Sequence, residues 1–105
     1  MNKILQRIHE YLGNGKIRLK KHALIRCVER KIKMVEVEEA LLNSKIIASY
    51  PEDIPLKSYL LLGTTQNKRP LHIVVAIDET EQHILIITVY EPDRTQWNDS
   101  LTKRK

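Results

Sequence analysis

The chain has 105 residues, of which 42% are hydrophobic and 30% charged, with a formal net charge of +5. This length gives room for one domain, residues 1–105, and this composition excludes an intrinsically disordered chain. Cys27 is the single cysteine, which excludes an internal disulfide, and no apolar run reaches the ~18 residues of a membrane span. Since the N-terminus also lacks a signal-peptide pattern, we expect a cytoplasmic protein that engages no membrane.

The first part of the chain has the periodicity of helices. Apolar residues recur at helical spacing over 4–12 and end at a Gly-Asn-Gly sequence, which predicts a first helix and its C-terminal end. A short extended piece, 16–20, precedes a second predicted helix over about 21–30, and a third follows over about 34–43. The side chains expected in the core are Leu24, Ile25, Val28 and Ile32 for the second helix, and Val35, Val37, Ala40, Leu41 and Leu42 for the third.

The second part of the chain has the pattern of strands. Segments rich in Leu, Ile and Val are separated by polar turns, and strands are predicted at 45–50, 59–65, 71–78 and 83–90. Helices followed by strands indicate the α+β class. We expect N-terminal helices packed on one face of a curved, roughly four-stranded antiparallel sheet.

The last two predicted strands can form a hairpin closed by a turn at 79–82. Side-chain alternation then predicts one fully apolar face, which includes Ile87, for the helices to cover. On the opposite face, the same register brings together His72, Thr88 and Tyr90 at the end away from the turn. We expect this polar group to be more than a packing feature, although a histidine bonded at a strand end is the simpler alternative.

Basic residues are concentrated in one segment of the chain. Residues 16–33 carry eight Lys and Arg against one acid, whereas residues 36–99 hold eleven of the thirteen acids and five bases. On the second predicted helix, His22, Arg26 and Arg30 are spaced i, i+4, i+8 and therefore form one stripe. Such a stripe can hold a phosphate and move a proton, or it can be an ordinary solvated helix face.

Several kinds of site are excluded by their missing motifs. The histidines and the cysteine do not have metal-ligand spacing, there is no Gly-rich phosphate loop, and no Phe is present to build a base-stacking sheet. We therefore expect no metal and no cofactor. The chemistry that remains is acid–base catalysis by His and Tyr with electrostatic help from Arg.

Six motifs, in this order, resemble those of a small bacterial family of unknown function. They are H-A-x-x-R at 22–26, E-R-x-I at 29–32, Y-P-x-D at 50–53, L-L-x-G at 60–63, R-P-L-H-I-V-V at 69–75 and I-T-V-Y-x-P at 87–92. That family in turn resembles RelE/ParE-like toxins, many of which are metal-independent ribonucleases paired with an antitoxin, sometimes of zinc-finger and helix-turn-helix build. The chain departs from the family pattern at Lys31, where Gly is usual.

The resemblance implies site residues and a hypothesis about their roles. It assigns His22, Arg26, His72, Thr88 and Tyr90 to the site of an endoribonuclease toxin. One of the histidines would act as base or acid with Tyr90, while Arg26 would stabilise the phosphorane. The residues expected to hold RNA are Lys20, Lys21, Arg30, Arg69, Thr88 and Arg94.

Two other hypotheses stay open at this point. The same basic surface could bind RNA or an acidic protein without cleavage, or the polar cluster could serve only to order the sheet of a small regulatory protein. The partners expected are RNA and, for a toxin, a cognate antitoxin protein.

Overall fold

The computed structural model describes residues 2–105, which form three helices and one open five-stranded sheet. In chain order the elements are α1 (Lys3–Gly13), β1 (Ile17–Leu19), α2 (Lys21–Glu29), α3 (Met34–Leu42), β2 (Ser44–Tyr50), β3 (Ser58–Thr64), β4 (Pro70–Asp78) and β5 (His83–Tyr90). The strand order across the sheet is β1-β5-β4-β3-β2. The α+β class is confirmed. Within 2–105, no helix has the length and apolar character needed to cross a bilayer.

The prediction of a four-stranded antiparallel sheet is wrong. The extended piece before α2 is a fifth strand, β1, which pairs with β5 in parallel orientation and makes the sheet mixed. Backbone hydrogen bonds from Ile84 N–H to the Lys16 carbonyl (2.8 Å) and from Lys20 N–H to the Ile86 carbonyl (3.0 Å) join the two strands. A three-residue edge strand with an exposed Arg18 at its centre has too little pattern to be recognised from sequence.

The three helices cover one face of the sheet and enclose the main core. Ile8 of α1, Val37 and Leu41 of α3, and the inward side chains of β3, β4 and β5 are completely buried there. Gly63 in β3 lets α3 lie directly on the sheet, because a Cβ at this position would overlap the backbone carbonyl of Ala40. This close approach explains the glycine of the L-L-x-G motif.

The core-facing side of α2 differs from the prediction. Ala23 and Cys27 are buried, and Ile32 follows them into the core, whereas Leu24, Ile25 and Val28 are exposed. The small side chains allow the helix backbone to approach β5 closely, so size rather than hydrophobicity selects the buried face. Burial raises the pKa of the Cys27 thiol, as expected for a packed cysteine.

Helix α3 shows a similar departure. Val37, Ala40 and Leu41 are buried as predicted, but Val35 and Leu42 are 56% and 54% exposed. Helices α2 and α3 therefore both carry an apolar stripe that no other part of residues 2–105 covers.

The hairpin of β4 and β5 contains a β-bulge that the alternation pattern did not predict. Val74 pairs with Thr88 and Val75 with Ile86, which leaves Ile87 without a direct partner in β4. The extra residue shifts the side-chain phase of β5, so Ile84 and Ile86 join Val89 in the core under the helices. The predicted placement of Ile87 on that face is wrong. At the end away from the turn, His72 does pair with Tyr90.

The second face of the sheet is covered by the C-terminal segment, residues 93–105, which we call the tail. Trp97 and Leu101 are 6% and 5% exposed and pack on Leu60 of β3. Arg104 lies over the Trp97 ring, 5.1 Å from its centroid, and the two residues form an isolated β-bridge. The tail thus closes a smaller second core over β3 and β4.

Candidate nucleic-acid interface

The exposed bases of β1, α2 and their flanking residues form what we call the cationic surface. All eight bases of the segment are exposed: Lys16, Arg18, Lys20, Lys21, Arg26, Arg30, Lys31 and Lys33. Strand β1 is the edge of the sheet, and α2 contacts both β1 and its neighbour β5. The local fold therefore gathers these charges at one edge of the molecule instead of dispersing them.

The predicted stripe on α2 lies within this cationic surface, but its three side chains differ in whether they are bonded to other parts of the protein. His22 is exposed, and Arg26 is exposed with its guanidinium 3.3 Å from the Glu29 carboxylate one turn later. Arg30 is tied to the sheet, because its Nη1 donates a hydrogen bond of 2.7 Å to the Val89 carbonyl. Arg30 is thereby held beside the end of β5.

Arg69, at the turn before β4, connects the end of α2 to the sheet. Its guanidinium donates to the backbone carbonyls of Arg30 (3.2 Å) and Lys31 (3.0 Å), so it caps the C-terminal end of α2. It also donates to the carboxylates of Glu36 and Glu91, each at 3.2 Å. The pKa of Glu36 is lowered, mainly by the Lys33 backbone N–H and additionally by Arg69.

Arg30, Arg69, Tyr90 and Glu91 line an open hollow of about 520 Å³, which we call the arginine hollow. It lies where β5 ends and β4 begins, next to the C-terminal end of α2. Arg30 has guanidinium N–H donors beyond its bond to Val89 that can reach a phosphate, whereas Arg69 and the Tyr90 hydroxyl are hydrogen-bonded within the protein and Glu91 opposes an anion. This is the one place in residues 2–105 where the cationic surface meets a member of the predicted histidine–tyrosine cluster.

His72 is completely buried on the tail side of the sheet. Its Nε2 is 2.7 Å from the Leu101 carbonyl oxygen, and its Nδ1 is 3.1 Å from the Tyr90 hydroxyl. The ring also meets the Trp97 ring edge-on, with centroids 4.4 Å apart. Every edge of the imidazole is thus in contact with the protein.

These contacts determine which nitrogen of His72 carries the proton. A carbonyl oxygen can only accept, so Nε2 donates to Leu101, and Nδ1 then accepts the hydroxyl proton of Tyr90. Burial lowers the pKa of His72 and raises the pKa of Tyr90, which keeps both groups neutral. In this arrangement His72 has no free lone pair with which to take a proton from a substrate.

The sheet separates the two halves of the predicted catalytic set. Leu71 and Ile73, which flank His72 in β4, point to the helix side together with Ala23 of α2, so His72 points to the other side. His22 and Arg26 are exposed on the helix side. The structure therefore brings His72 and Tyr90 together, and Tyr90 with Arg30 and Arg69, but it does not bring His22 or Arg26 to His72.

The remaining predicted residues lie around this arrangement. Thr88 is half-buried on the same side as Tyr90, directly across from Val74. Lys20 and Lys21 are exposed at the beginning of α2, within the cationic surface, and Arg94 is exposed in the tail. Their assignment to RNA binding stays a prediction.

Sequence reasoning missed the residues that hold the predicted ones in place. Glu36, in the first turn of α3, accepts a hydrogen bond of 2.9 Å from the Lys33 N–H. An acid three residues after the residue that precedes a helix is a helix-start signal that the sequence could have revealed. Glu91 follows Tyr90 directly, and a single acid at the end of a strand has no spacing that indicates a role. Leu101 acts through its backbone carbonyl, for which a sequence carries no signal.

Comparison with known proteins gives one match. The model of a family described as "Domain of unknown function (DUF4258)" matches residues 19–91, which contain α2, α3 and strands β2 to β5 and begin at the last residue of β1. No curated protein and no solved structure matches the chain. Within 2–105, no group of three His, Cys, Asp or Glu side chains is placed to hold a metal ion.

Proposed function

This chain belongs to the DUF4258 family, and since that family's description states no activity, we propose from geometry that the protein binds RNA through its sugar–phosphate backbone without cutting it. The alternative is the metal-independent endoribonuclease toxin that the sequence motifs resemble. The two proposals share a binding surface and differ in whether His72 and Tyr90 take part in chemistry.

The cationic surface is the observation that carries the proposal. Eight exposed bases come from a segment, residues 16–33, whose single acid is Glu29, and they border the arginine hollow, where Glu91 adds a carboxylate. Charges packed this closely repel one another, and a polyanion relieves that repulsion while releasing its own counterions. The acidic residues of the rest of the chain leave this edge as the favourable approach for a phosphate backbone.

The absence of a stacking platform fits backbone recognition. The chain has no Phe, and its single Trp97 is buried under the tail. Base stacking on aromatic side chains is the usual source of sequence preference for single strands. We therefore expect an affinity for RNA that depends strongly on salt concentration and only weakly on base sequence.

The geometry of His72 favours binding over cleavage. A general base needs a free lone pair within reach of the proton that it removes, and both ring nitrogens of His72 are bonded inside the protein. Arg104, the arginine whose positive charge reaches His72, belongs to the tail and lies over the Trp97 ring. Cleavage would require the tail to leave His72.

The experiment is incubation of the purified protein with a labelled single-stranded RNA in EDTA, analysed on native and denaturing gels. We expect retardation on the native gel and intact RNA on the denaturing gel. Lys20→Ala combined with Lys21→Ala should weaken retardation. Lys45→Ala is the matched control, because Lys45 is an exposed lysine on β2 at the opposite edge of the sheet. RNA that migrates freely, or equal losses in control and double variant, would refute the proposal.

The same gels test the toxin alternative. RNA cut in EDTA by the wild-type protein, but not by Tyr90→Phe, would favour the endoribonuclease and overturn the binding-only proposal. The RelE-like assignment and a cognate antitoxin that covers the cationic surface belong to that alternative and stay predictions.

A further inference from the structure

Helix α2 presents an apolar stripe that the described part of the chain, residues 2–105, leaves uncovered. Leu24, Ile25 and Val28 are 56%, 43% and 73% exposed. They lie on one side of the helix, because Val28 follows Leu24 by four residues and Ile25 by three. Lys21 lies one turn before Ile25 on the same side. We call these four residues the α2 stripe. Its apolar part serves no phosphate backbone, so RNA binding leaves it unexplained.

Helix α3 presents a second stripe of the same size and the opposite charge. Met34, Val35 and Leu42 are 38%, 56% and 54% exposed. Glu38 lies one turn after Val35 and one turn before Leu42, and none of the ion pairs found within residues 2–105 involves it. We call these four residues the α3 stripe.

We propose that the protein associates with a second copy of itself by docking the α2 stripe of one copy on the α3 stripe of the other. Each stripe offers three apolar side chains to the other, and Lys21 of α2 meets Glu38 of the partner's α3. Apolar burial supplies the attraction, and the opposite charges select this pairing over the others.

Pairing of like stripes is disfavoured by the same charges. Two α2 stripes would bring Lys21 against Lys21 at the centre of a strongly cationic surface, and two α3 stripes would oppose their Glu38 carboxylates. An α2–α3 contact made twice, once by each copy, is self-complementary and closes as a two-fold dimer. Both stripes are thereby covered in one assembly.

Sedimentation equilibrium of the purified full chain over a wide concentration range tests the proposal. We expect reversible association of the wild-type protein. Lys21→Glu alone and Glu38→Lys alone should each raise the dissociation constant by about tenfold, the equivalent of about 1.4 kcal/mol. The double variant, which exchanges the two charges, should recover association because the stripes are again complementary. Lys57→Glu, an exposed loop residue, is the control and should behave as wild type.

Three outcomes overturn this inference: a monomer at every concentration, association that Val28→Glu does not weaken, or a double variant that associates no better than the single ones. Circular dichroism of each variant establishes that it is folded. The inference does not depend on RNA binding, and Val28→Ser separates the two. It should weaken association and leave RNA affinity unchanged. An equal loss of RNA affinity would assign the stripe to the RNA surface and contradict the proposal.

Discussion

Removal of the Trp97 side chain tests whether the tail is an integral part of the fold. Trp97 is 6% exposed, packs in the second core with Leu60 and Leu101, and meets the His72 ring at 4.4 Å. Truncation of a buried Trp to Ala costs about 3–5 kcal/mol, because the transfer free energy of the ring is lost and a cavity remains. Domains of this size have a free energy of unfolding of about 5–15 kcal/mol, so Trp97→Ala should remove a large part of it.

Urea unfolding followed by far-ultraviolet circular dichroism measures this loss, since the variant has no tryptophan fluorescence. Arg94→Ala is the control, because Arg94 is exposed in the same tail and its truncation should change the free energy of unfolding by less than about 0.5 kcal/mol. A loss below about 1 kcal/mol for Trp97→Ala would refute the second core. The enclosed environment of His72, from which we infer that it is not a general base, would then also be refuted.

Three further predictions concern single residues. The pKa of His72 is lowered in the folded state, so the unfolded chain binds more protons below pH ~6.5. The free energy of unfolding is therefore highest above pH ~6.5. It decreases as the pH drops towards the folded-state pKa, by at most about 1.4 kcal/mol per pH unit. Urea unfolding at a series of pH values below ~6.5 should show this decrease in the free energy of unfolding, and His72→Gln should abolish it. Gly63→Ala should cost about 1–3 kcal/mol in the same assay, because the new Cβ meets the Ala40 carbonyl and α3 must move off the sheet. Lys31 has φ 55°, a left-handed conformation, so Lys31→Gly should be neutral or stabilise by up to about 1 kcal/mol.

Each of these predictions has a contradicting result. An equal slope in wild type and His72→Gln would mean that another group titrates. A stable Gly63→Ala variant would contradict the direct contact of α3 with β3. A loss of stability in Lys31→Gly would mean that the lysine side chain contributes more than its backbone conformation costs.

The pairing of His72 with Tyr90 could be predicted from sequence, because both residues lie at the ends of clear strands joined by a short turn. Which face of the sheet each remaining side chain of β5 occupies could not be predicted. Residues 84–87 are four apolar residues in succession, so alternation gives no signal for the bulge at Ile87. The apolar run is compatible with either phase, and only packing against the helices decides between them.

The buried face of α2 could not be predicted for a different reason. A hydrophobic pattern favours Leu24 and Val28 over Ala23 and Cys27, whereas close packing on β5 favours the smaller pair. The tail lacks periodicity altogether, and its role depends on Trp97 and one carbonyl group.

The candidate site was predictable only in its local parts. Spacing along one helix identified His22, Arg26 and Arg30 as a stripe, since that geometry depends on residues close in sequence. Whether the stripe faces His72 depends on which side of the sheet each lies, and that is a property of the whole fold. Lys31 has a left-handed backbone conformation, which favours glycine, and its charged side chain gives no sequence signal for that conformation.

The most direct test of RNA-backbone binding is the salt dependence of affinity for a short single-stranded RNA, measured by fluorescence anisotropy. The logarithm of the association constant should fall linearly with the logarithm of salt concentration. In the variant that combines Lys20→Ala and Lys21→Ala, the slope should be shallower by about 1.4, because each phosphate contact on a single strand contributes about 0.7. Identical slopes for this variant and the wild-type protein would contradict the assignment of the cationic surface to RNA.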